Sequence, residues 1–307
     1  MGDGPPPAEL VDVGRGVTLC CELFGSPSDP PLLLIAGLGQ QLMSWPAAMC
    51  EALAARGLHV VRFDNRDIGR SWHAPIPAPK TGQLISRRFV EDQYDLGDMA
   101  RDTAGLLSAL ELGPAHVVGI SMGGMIGQTL TAGYPQCVRS LISIMSSTGA
   151  SSAGWTAPST LRLVFSAPPR SRDDAADLAA RVFRHVGSHG FPFEEQRIRE
   201  LASDSFGRDP RSVAGGARQL AAILKSGDRT HALTRITAPT LVIHGDRDLM
   251  VHPSGGRATA AAIPGARLTT IEGLGHDLPT PVLPRLIELI ADHALGADLA
   301  QAEPAPA

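Results

Sequence analysis

The chain has 307 residues, 43% of them hydrophobic, and a formal net charge of −4. This length suits one large domain, or one domain that carries an insertion, and it lets the chain bury a sizeable core. The slightly acidic balance excludes the concentrated basic surface of a nucleic-acid-binding protein, and no apolar run approaches the roughly 20 residues of a membrane-spanning helix.

The first part of the chain predicts strands that alternate with helices. Residues 9–13 and 17–24 are apolar or alternate in hydropathy, and the Gly-Arg-Gly sequence between them offers a turn, which predicts a hairpin. The two ends, residues 1–8 and 296–307, are rich in Pro, Ala and Gly and are predicted to be flexible tails. Further strands are predicted at 31–36, 58–63, 115–120 and 138–145, and helices at 45–56, 98–112 and 122–134.

Residues 149–235 interrupt this alternation, because they contain no strong strand signal. The alternation returns after them. Within the interruption, helices are predicted near 175–186, 193–204 and 213–225; after it, strands are predicted at 240–244 and 267–271 and helices at 256–263 and 282–294.

Strands that alternate with helices predict an α/β fold with a mostly parallel sheet and helices on both faces. We therefore predict one α/β core formed by residues 9–148 and 236–295, with residues 149–235 inserted as a helical cap. In open α/β sheets, ligands bind outside the carboxyl ends of the strands. The insertion leaves the sheet at that end, so the cap should roof the site.

The strongest motif is GISMG at residues 119–123, centred on Ser121. It follows a predicted strand and opens a predicted helix, which is the context that a nucleophile elbow requires. A strained turn exposes the serine hydroxyl there, and the helix N-terminus behind it presents backbone N–H groups. A serine in a tight glycine turn without chemistry is the alternative.

A serine nucleophile needs a base, because its free hydroxyl is a poor nucleophile at neutral pH. His276 lies in a glycine-rich loop after the last predicted strand and is the candidate; His73 and His252, also in loops, fit less well. The base needs a carboxylate that orients it. Asp248 is favoured over Asp246, because it lies further into its loop and Asp246 follows a glycine, where it would tie the turn.

Hydrolysis of an acyl group also requires an oxyanion hole. One donor is expected to be the N–H of Met122, the residue after the nucleophile. The other is expected from the glycine-rich loop after the strand at 31–36, where we choose the N–H of Leu38. The side chain of Gln40 or Gln41 is an alternative donor. The structural alternative is a glycine-rich turn that has no role in catalysis.

Two charged segments have both a structural and a functional interpretation. In the sequence DNRDIGRS, residues 64–71, Asp64, Arg66 and Arg70 are predicted to form a buried network that shapes one wall, rather than a site for an anionic substrate. The predicted cap holds 13 of the 27 Lys and Arg residues and 9 acidic residues. This excess of positive charge would favour acidic substrates, unless it belongs to ordinary solvated helix faces.

Taken together, these motifs resemble the α/β-hydrolase superfamily over roughly residues 9–295. The sequence GISMGGMIGQ, residues 119–128, resembles the elbow of the enol-lactonase and esterase branch. Residues 64–71 and Trp45-Pro46 resemble polyketide esterases of the aclacinomycin methylesterase type. The resemblance implies a Ser121–His276–Asp248 triad under a helical cap. Where many members have His-Gly at the start of the oxyanion loop, this chain has Ala36-Gly37.

The leading hypothesis is a serine hydrolase that cleaves a small-molecule carboxylic ester through an acyl-enzyme. A lactonase, a carbon–carbon bond hydrolase and a cofactor-free haloperoxidase are alternatives on the same triad, and a non-catalytic ligand receptor is an alternative of another class. We expect no cofactor and no metal, because no residues show metal-ligand spacing. The 4 cysteines form no CxxC pair and the first residues do not resemble a signal peptide, so we expect a cytoplasmic protein that binds neither nucleic acid nor membrane.

Overall fold

A computed structural model describes residues 6–164 and 166–302. Eight strands lie in these residues and form one sheet. In chain order they are β1 (Glu9–Asp12), β2 (Thr18–Phe24), β3 (Pro31–Ile35), β4 (His59–Phe63), β5 (Ala115–Ile120), β6 (Val138–Ile144), β7 (Thr240–Gly245) and β8 (Arg267–Ile271).

The strand order in the sheet is β1-β2-β4-β3-β5-β6-β7-β8. The first two strands form the predicted antiparallel hairpin, and β2 also pairs antiparallel with β4. From β4 to β8 all neighbours run parallel. Their carboxyl ends therefore open onto the same edge of the sheet, and this confirms the predicted mostly parallel α/β architecture.

Helices cover both faces of the sheet. The core helices are α1 (Ala47–Ala54), α2 (Thr81–Ser86), α3 (Leu96–Ala109), α4 (Met122–Gly133), α10 (Ser254–Ala262) and α11 (Leu283–Ala302). Every residue of β3 is buried, and its side chains alternate between two hydrophobic clusters. Leu33 and Ile35 pack with α3 and α4, and Leu32 and Leu34 pack with α1 and α11. A strand buried on both faces explains why this segment is apolar throughout.

Between β6 and β7 the chain leaves the sheet and forms five helices among its described residues. They are α5 (Pro158–Val164), α6 (Arg172–Val186), α7 (Glu195–Arg208), α8 (Ser212–Ser226) and α9 (Thr230–Leu233). We call residues 149–235 the cap. Helices α6, α7 and α8 correspond to the three predicted helices, whereas α2, α5 and α9 are short and carry too little periodicity to be predicted. No helix in the described part of the chain is long and apolar enough to cross a membrane.

The end of the chain differs from the prediction of a tail from residue 296. Helix α11 continues to Ala302, and Ala297 is buried. The Asp298 carboxylate lies 3.3 Å from His116 Nε2 and 3.2 Å from Arg139 Nη1. Alanine and leucine favour a helix, and these contacts dock the extra turn on the core, so a composition typical of tails here belongs to a packed helix.

Candidate active site

Three loops at the carboxyl edge of the sheet bring Ser121, His276 and Asp248 together. Ser121 Oγ lies 3.0 Å from His276 Nε2, and His276 Nδ1 lies 2.7 Å from Asp248 Oδ2. Since an ionised carboxylate only accepts hydrogen bonds, Nδ1–H donates to Asp248. The other ring nitrogen, Nε2, is then left to accept the serine proton. Asp248 is fully buried, and the other two side chains are partly accessible.

The turn that carries Ser121 is strained. Ser121 has φ 55° and ψ −119°, a backbone conformation that residues other than glycine rarely adopt. A Cβ on Gly119 would lie 2.1 Å from the Gly123 carbonyl oxygen, and a Cβ on Gly123 would lie 2.1 Å from the Ile35 carbonyl oxygen. Both glycines are therefore required by close backbone packing, and this packing seats the start of α4 against the end of β3.

Asp248 is held by more than the histidine. Its Oδ1 accepts the N–H groups of Met250 and Val251, each at 2.8 Å, and His244 Nε2 lies 3.4 Å from its Oδ2. Burial alone would raise the pKa of this carboxyl, but the neighbouring His276 and these hydrogen bonds hold it well below its usual range. Asp248 therefore stays ionised at neutral pH.

Asp246, the alternative carboxylate, does not touch the histidine ring. Its Oδ1 accepts the N–H of Gly273 at 2.7 Å, in the loop that leads to His276. The prediction that Asp246 ties the turn to its own backbone was wrong, because its carboxylate accepts from the following loop instead. Of the two aspartates, the geometry selects Asp248 as the partner of His276.

The two predicted oxyanion donors lie on adjacent segments. Met122 is the first residue of α4, so its N–H has no partner within the helix. A Cβ on Gly37 would lie 3.5 Å from the Ile120 carbonyl oxygen, which places the loop after β3 beside the elbow. Gln40 N–H donates to the Gly37 carbonyl oxygen at 3.2 Å and closes a turn with Leu38 at its second position.

Comparison with known proteins identifies the family of the chain. The α/β hydrolase fold family matches residues 30–279. The chain belongs to this family. It is 30% identical over 305 residues to the rhodomycin D methylesterase of Streptomyces sp. strain C5, a match that covers 92% of this chain and 96% of the relative.

Solved structures agree on the fold. A hydrolase from Pseudomonas aeruginosa PA01 is 26% identical, with a TM-score of 0.68 over 94% of this chain and 98% of the other. An enol-lactonase from Burkholderia xenovorans LB400 is 23% identical, with a TM-score of 0.71 over 94% and 99% of the two chains. The predicted resemblance to α/β hydrolases is therefore confirmed.

In this α/β hydrolase the charged segment after β4 is a structural network, but not quite the predicted one. Asp64 accepts a guanidinium N–H of Arg208 and the N–H of Leu42, and Arg66 forms a bidentate salt bridge with Asp102. The Arg70 side chain is exposed, and only its backbone N–H reaches Asp64. Including Arg70 in the buried network was wrong, because its side chain points to solvent.

Many of the arginines of the cap form salt bridges. Two cap arginines form ion pairs with core carboxylates: Arg208 with Asp64 and Arg218 with Asp67. Both pairs are almost completely buried. Five further cap arginines pair with carboxylates of the cap itself: Arg172, Arg184, Arg197, Arg199 and Arg211. The pairs within the cap leave its excess of positive charge unchanged, and the two pairs with core carboxylates reduce it; these two weaken the hypothesis that the cap attracts acidic substrates.

Three of the other predicted candidates, Gln41, His73 and His252, are occupied elsewhere. Gln41 donates from Nε2 to the Ser205 carbonyl oxygen at 2.7 Å and accepts from Arg208 at 2.9 Å, so its amide faces the cap and not the oxyanion site. His73 Nε2 lies 2.7 Å from Asp209, and His252 stacks on Trp155 with ring centroids 4.2 Å apart. Within residues 6–164 and 166–302, no group of three His, Cys, Asp or Glu side chains is arranged to hold a metal.

Sequence reasoning missed the cap residues that hold the active-site loops. The His276 N–H donates to the Val186 carbonyl oxygen at 2.7 Å. Asp277 accepts both the N–H and the hydroxyl of Ser188, and the same hydroxyl accepts the Gly275 N–H at 2.9 Å. Burial raises the pKa of Asp277, although the Ser188 hydrogen bonds oppose this. These contacts join distant segments, and no local pattern marks them.

Proposed function

We propose that this α/β hydrolase cleaves carboxylic esters through an acyl-enzyme formed on Ser121. The observation that carries the proposal is the continuous hydrogen-bonded series from Ser121 Oγ through the His276 ring to the ionised Asp248, at 3.0 and 2.7 Å. A histidine base oriented by a buried carboxylate and aligned with a strained, partly accessible serine is the arrangement that activates a hydroxyl for attack on a carbonyl carbon.

In the acylation step, Ser121 Oγ attacks the ester carbonyl carbon while His276 Nε2 takes the hydroxyl proton. The carbonyl oxygen becomes an oxyanion, which the N–H groups of Leu38 and Met122 stabilise. The tetrahedral intermediate then collapses, the bond to the alkoxy oxygen breaks, and His276 protonates the leaving alcohol. Asp248 holds Nδ1–H throughout and stabilises the imidazolium.

Deacylation repeats the sequence with water. His276 takes a proton from the water as its oxygen attacks the acyl carbon, and the second tetrahedral intermediate expels Ser121. The proton returns to the serine oxygen and the carboxylic acid leaves. The reaction consumes one water, needs no oxidant or cofactor, and leaves the enzyme unchanged.

A methyl ester is the proposed substrate class, because the relatives at 30% and 29% identity are named rhodomycin D methylesterases. These two matches each cover 92% of this chain, so they include the core and the cap. The burial of Arg208 and Arg218 in ion pairs with core carboxylates removes two cap charges that could attract an anion, and so supports an uncharged ester.

Covalent labelling followed by substrate profiling tests this function. A fluorophosphonate should modify the wild-type protein on the peptide that contains Ser121, and Ser121→Ala should remain unmodified while still folding. Methyl esters, including rhodomycin-type esters, should release methanol. An unlabelled wild-type protein that is inert to the whole panel would overturn the proposal. Turnover only of lactones, of carbon–carbon bonds, or of halide with peroxide would redirect it to those reactions.

A cytoplasmic location remains part of the proposal. All four cysteines are free thiols in the structure, and burial raises the pKa of Cys21 and of Cys50 to about 12. Thiols of this kind suit a reducing compartment. Cell fractionation of the native producer, with the protein found only in the secreted or membrane fraction, would contradict it.

A further inference from the structure

One cap side chain reaches the loop that supplies the proposed second oxyanion donor. Gln219, on α8, is fully buried and forms hydrogen bonds to two core loops. Its Oε1 accepts the N–H of Gly39 at 2.9 Å, and its Nε2 donates to the Arg66 carbonyl oxygen at 2.9 Å. The Gly39 N–H and the Arg66 carbonyl oxygen lie in loops and outside helices and strands. The side-chain amide of Gln219 therefore supplies the hydrogen bonds that regular secondary structure would otherwise provide.

Helix α8 holds Gln219 rigidly. A Cβ on Gly215 would lie 1.8 Å from the Asp67 carbonyl oxygen, so the helix backbone packs directly on the loop after β4. One turn along, Arg218 forms a bidentate, buried salt bridge with Asp67. These contacts hold α8, and with it the Gln219 amide, in place on the core. The amide therefore fixes the position of the Gly39 loop.

The bonded peptide is the one that sets the shape of the turn. The turn runs from Gly37 to Gln40, and Gly39 at its third position has φ +70°. A positive φ at this position defines a type II turn, whereas a type I turn has the Leu38–Gly39 peptide turned over. By accepting the Gly39 N–H, Gln219 selects the type II form, which fixes ψ of Leu38 and anchors the loop directly after the Leu38 N–H.

We propose that Gln219 is a positioning residue for the oxyanion hole: it fixes the turn at Leu38 and Gly39 so that the Leu38 N–H faces the carbonyl oxygen of the bound ester. This inference rests on the proposed ester hydrolysis at Ser121. The hydrogen bonds of Gln219 are to the two loops and not to Ser121, His276 or Asp248. Its effect should appear in the transition state, where the oxyanion forms, and not in ground-state binding.

Two substitutions separate the hydrogen bonds. Gln219→Met is nearly isosteric and loses both bonds, so we expect kcat to fall about 10- to 100-fold, below the loss of about 10²- to 10³-fold for deleting an oxyanion donor, with KM changed less than about threefold. Gln219→Glu keeps an acceptor for Gly39 N–H and should recover most of kcat. The inhibition constant of a trifluoromethyl ketone, whose serine adduct carries an oxyanion, should rise with Gln219→Met by the same factor as kcat falls.

Gln93→Met is the matched control. Gln93 is also a buried glutamine that ties α8 to the core, because its Nε2 donates to the Arg218 carbonyl oxygen at 3.1 Å, but it does not touch the oxyanion loop. It should keep kcat near the wild-type value while its melting temperature falls with that of Gln219→Met.

The outcomes are distinct. The inference is overturned if Gln219→Met keeps at least half of the wild-type kcat, if Gln93→Met loses as much, or if Gln219→Glu is no better than Gln219→Met. If Gln219→Met does not fold, Gln219→Glu against Gln93→Met decides by inhibitor affinity alone. A wild-type protein without esterase activity or serine labelling would instead refute the proposed function itself.

Discussion

Replacing Asp248 with asparagine tests the triad most directly, because the structure dictates how the new amide would sit. Two N–H groups at 2.8 Å, from Met250 and Val251, require an acceptor at the Oδ1 position. Turning the amide over would lose both bonds and place donor against donor, at about 1–3 kcal/mol for each unmade bond. A difference of about 2 kcal/mol already favours the correct orientation about 30-fold.

The amide NH₂ of Asp248→Asn must therefore face His276 Nδ1, which can then only accept. The ring proton moves to Nε2, and this nitrogen faces Ser121 Oγ as a donor and no longer as a base. The same exchange in a serine triad lowers kcat by about 10⁴-fold, equivalent to about 5.5 kcal/mol of activation free energy. We expect a loss of this order, with little change in KM.

Initial rates on the best methyl ester, compared with Asp246→Asn, provide the assay. Asp246 accepts a backbone N–H at 2.7 Å, for which an asparagine oxygen serves as well, and its other contact is an ion pair with exposed Arg247 at 3.6 Å, so kcat should change less than about threefold. The reasoning is refuted if Asp248→Asn keeps more than a tenth of the wild-type kcat, or if Asp246→Asn loses as much.

Three further predictions concern stability, measured by urea unfolding. Gly123→Ala should lower the free energy of unfolding by about 3 kcal/mol or more, because its Cβ would meet a carbonyl oxygen of β3 at 2.1 Å. Gly133→Ala is the control: its Cβ would meet nothing within 4 Å, so the variant should be neutral or stabilising. Equal effects of the two substitutions would contradict this prediction. Ser188→Ala should cost about 1 kcal/mol, because the partly buried Asp277 loses a hydroxyl donor, and Ser188→Thr should restore the donor. An alanine variant as stable as wild type would count against the contact. Because the pKa of Asp248 is lower in the folded than in the unfolded protein, its ionised form stabilises the fold at pH values above the unfolded pKa of about 3.9, and this stabilisation is lost as the pH falls towards the folded pKa. From pH 5 to pH 3, the free energy of unfolding should therefore fall less for Asp248→Asn than for wild type. An equal fall would exclude this contribution.

Much of the core was predictable because its signals are local. A hairpin turn, apolar runs of strand length and periodic helices each lie within about 20 residues, and the sheet follows from their order. Helix α11 shows the limit of this reasoning. Its last turn has the composition of a tail, but His116 and Arg139, far away in the chain, pair with Asp298 and stabilise it.

The site divides in the same way. Ser121 stands out because its turn needs glycines two residues before and two residues after it, so the motif lies within five consecutive residues. The choice between Asp248 and Asp246 needs the three-dimensional path of two loops, since both follow the same strand. Gln219 and Ser188 carry no sequence signal at all, because each acts on backbone groups of segments that are distant in the chain.

The cap therefore contributes more than a cover. On one side it bonds the loop of Leu38 and Gly39 through Gln219, and on the other it bonds the loop of Gly275 and His276 through Ser188. Two buried ion pairs, to Asp64 and Asp67, fasten the first of these sides. Removing one partner of a buried pair costs about 3–5 kcal/mol, so lifting the whole cap would break these pairs and release both loops at once. A cap exchanged with that of a relative would have to bring equivalent contacts to both loops before the exchange could report on substrate choice.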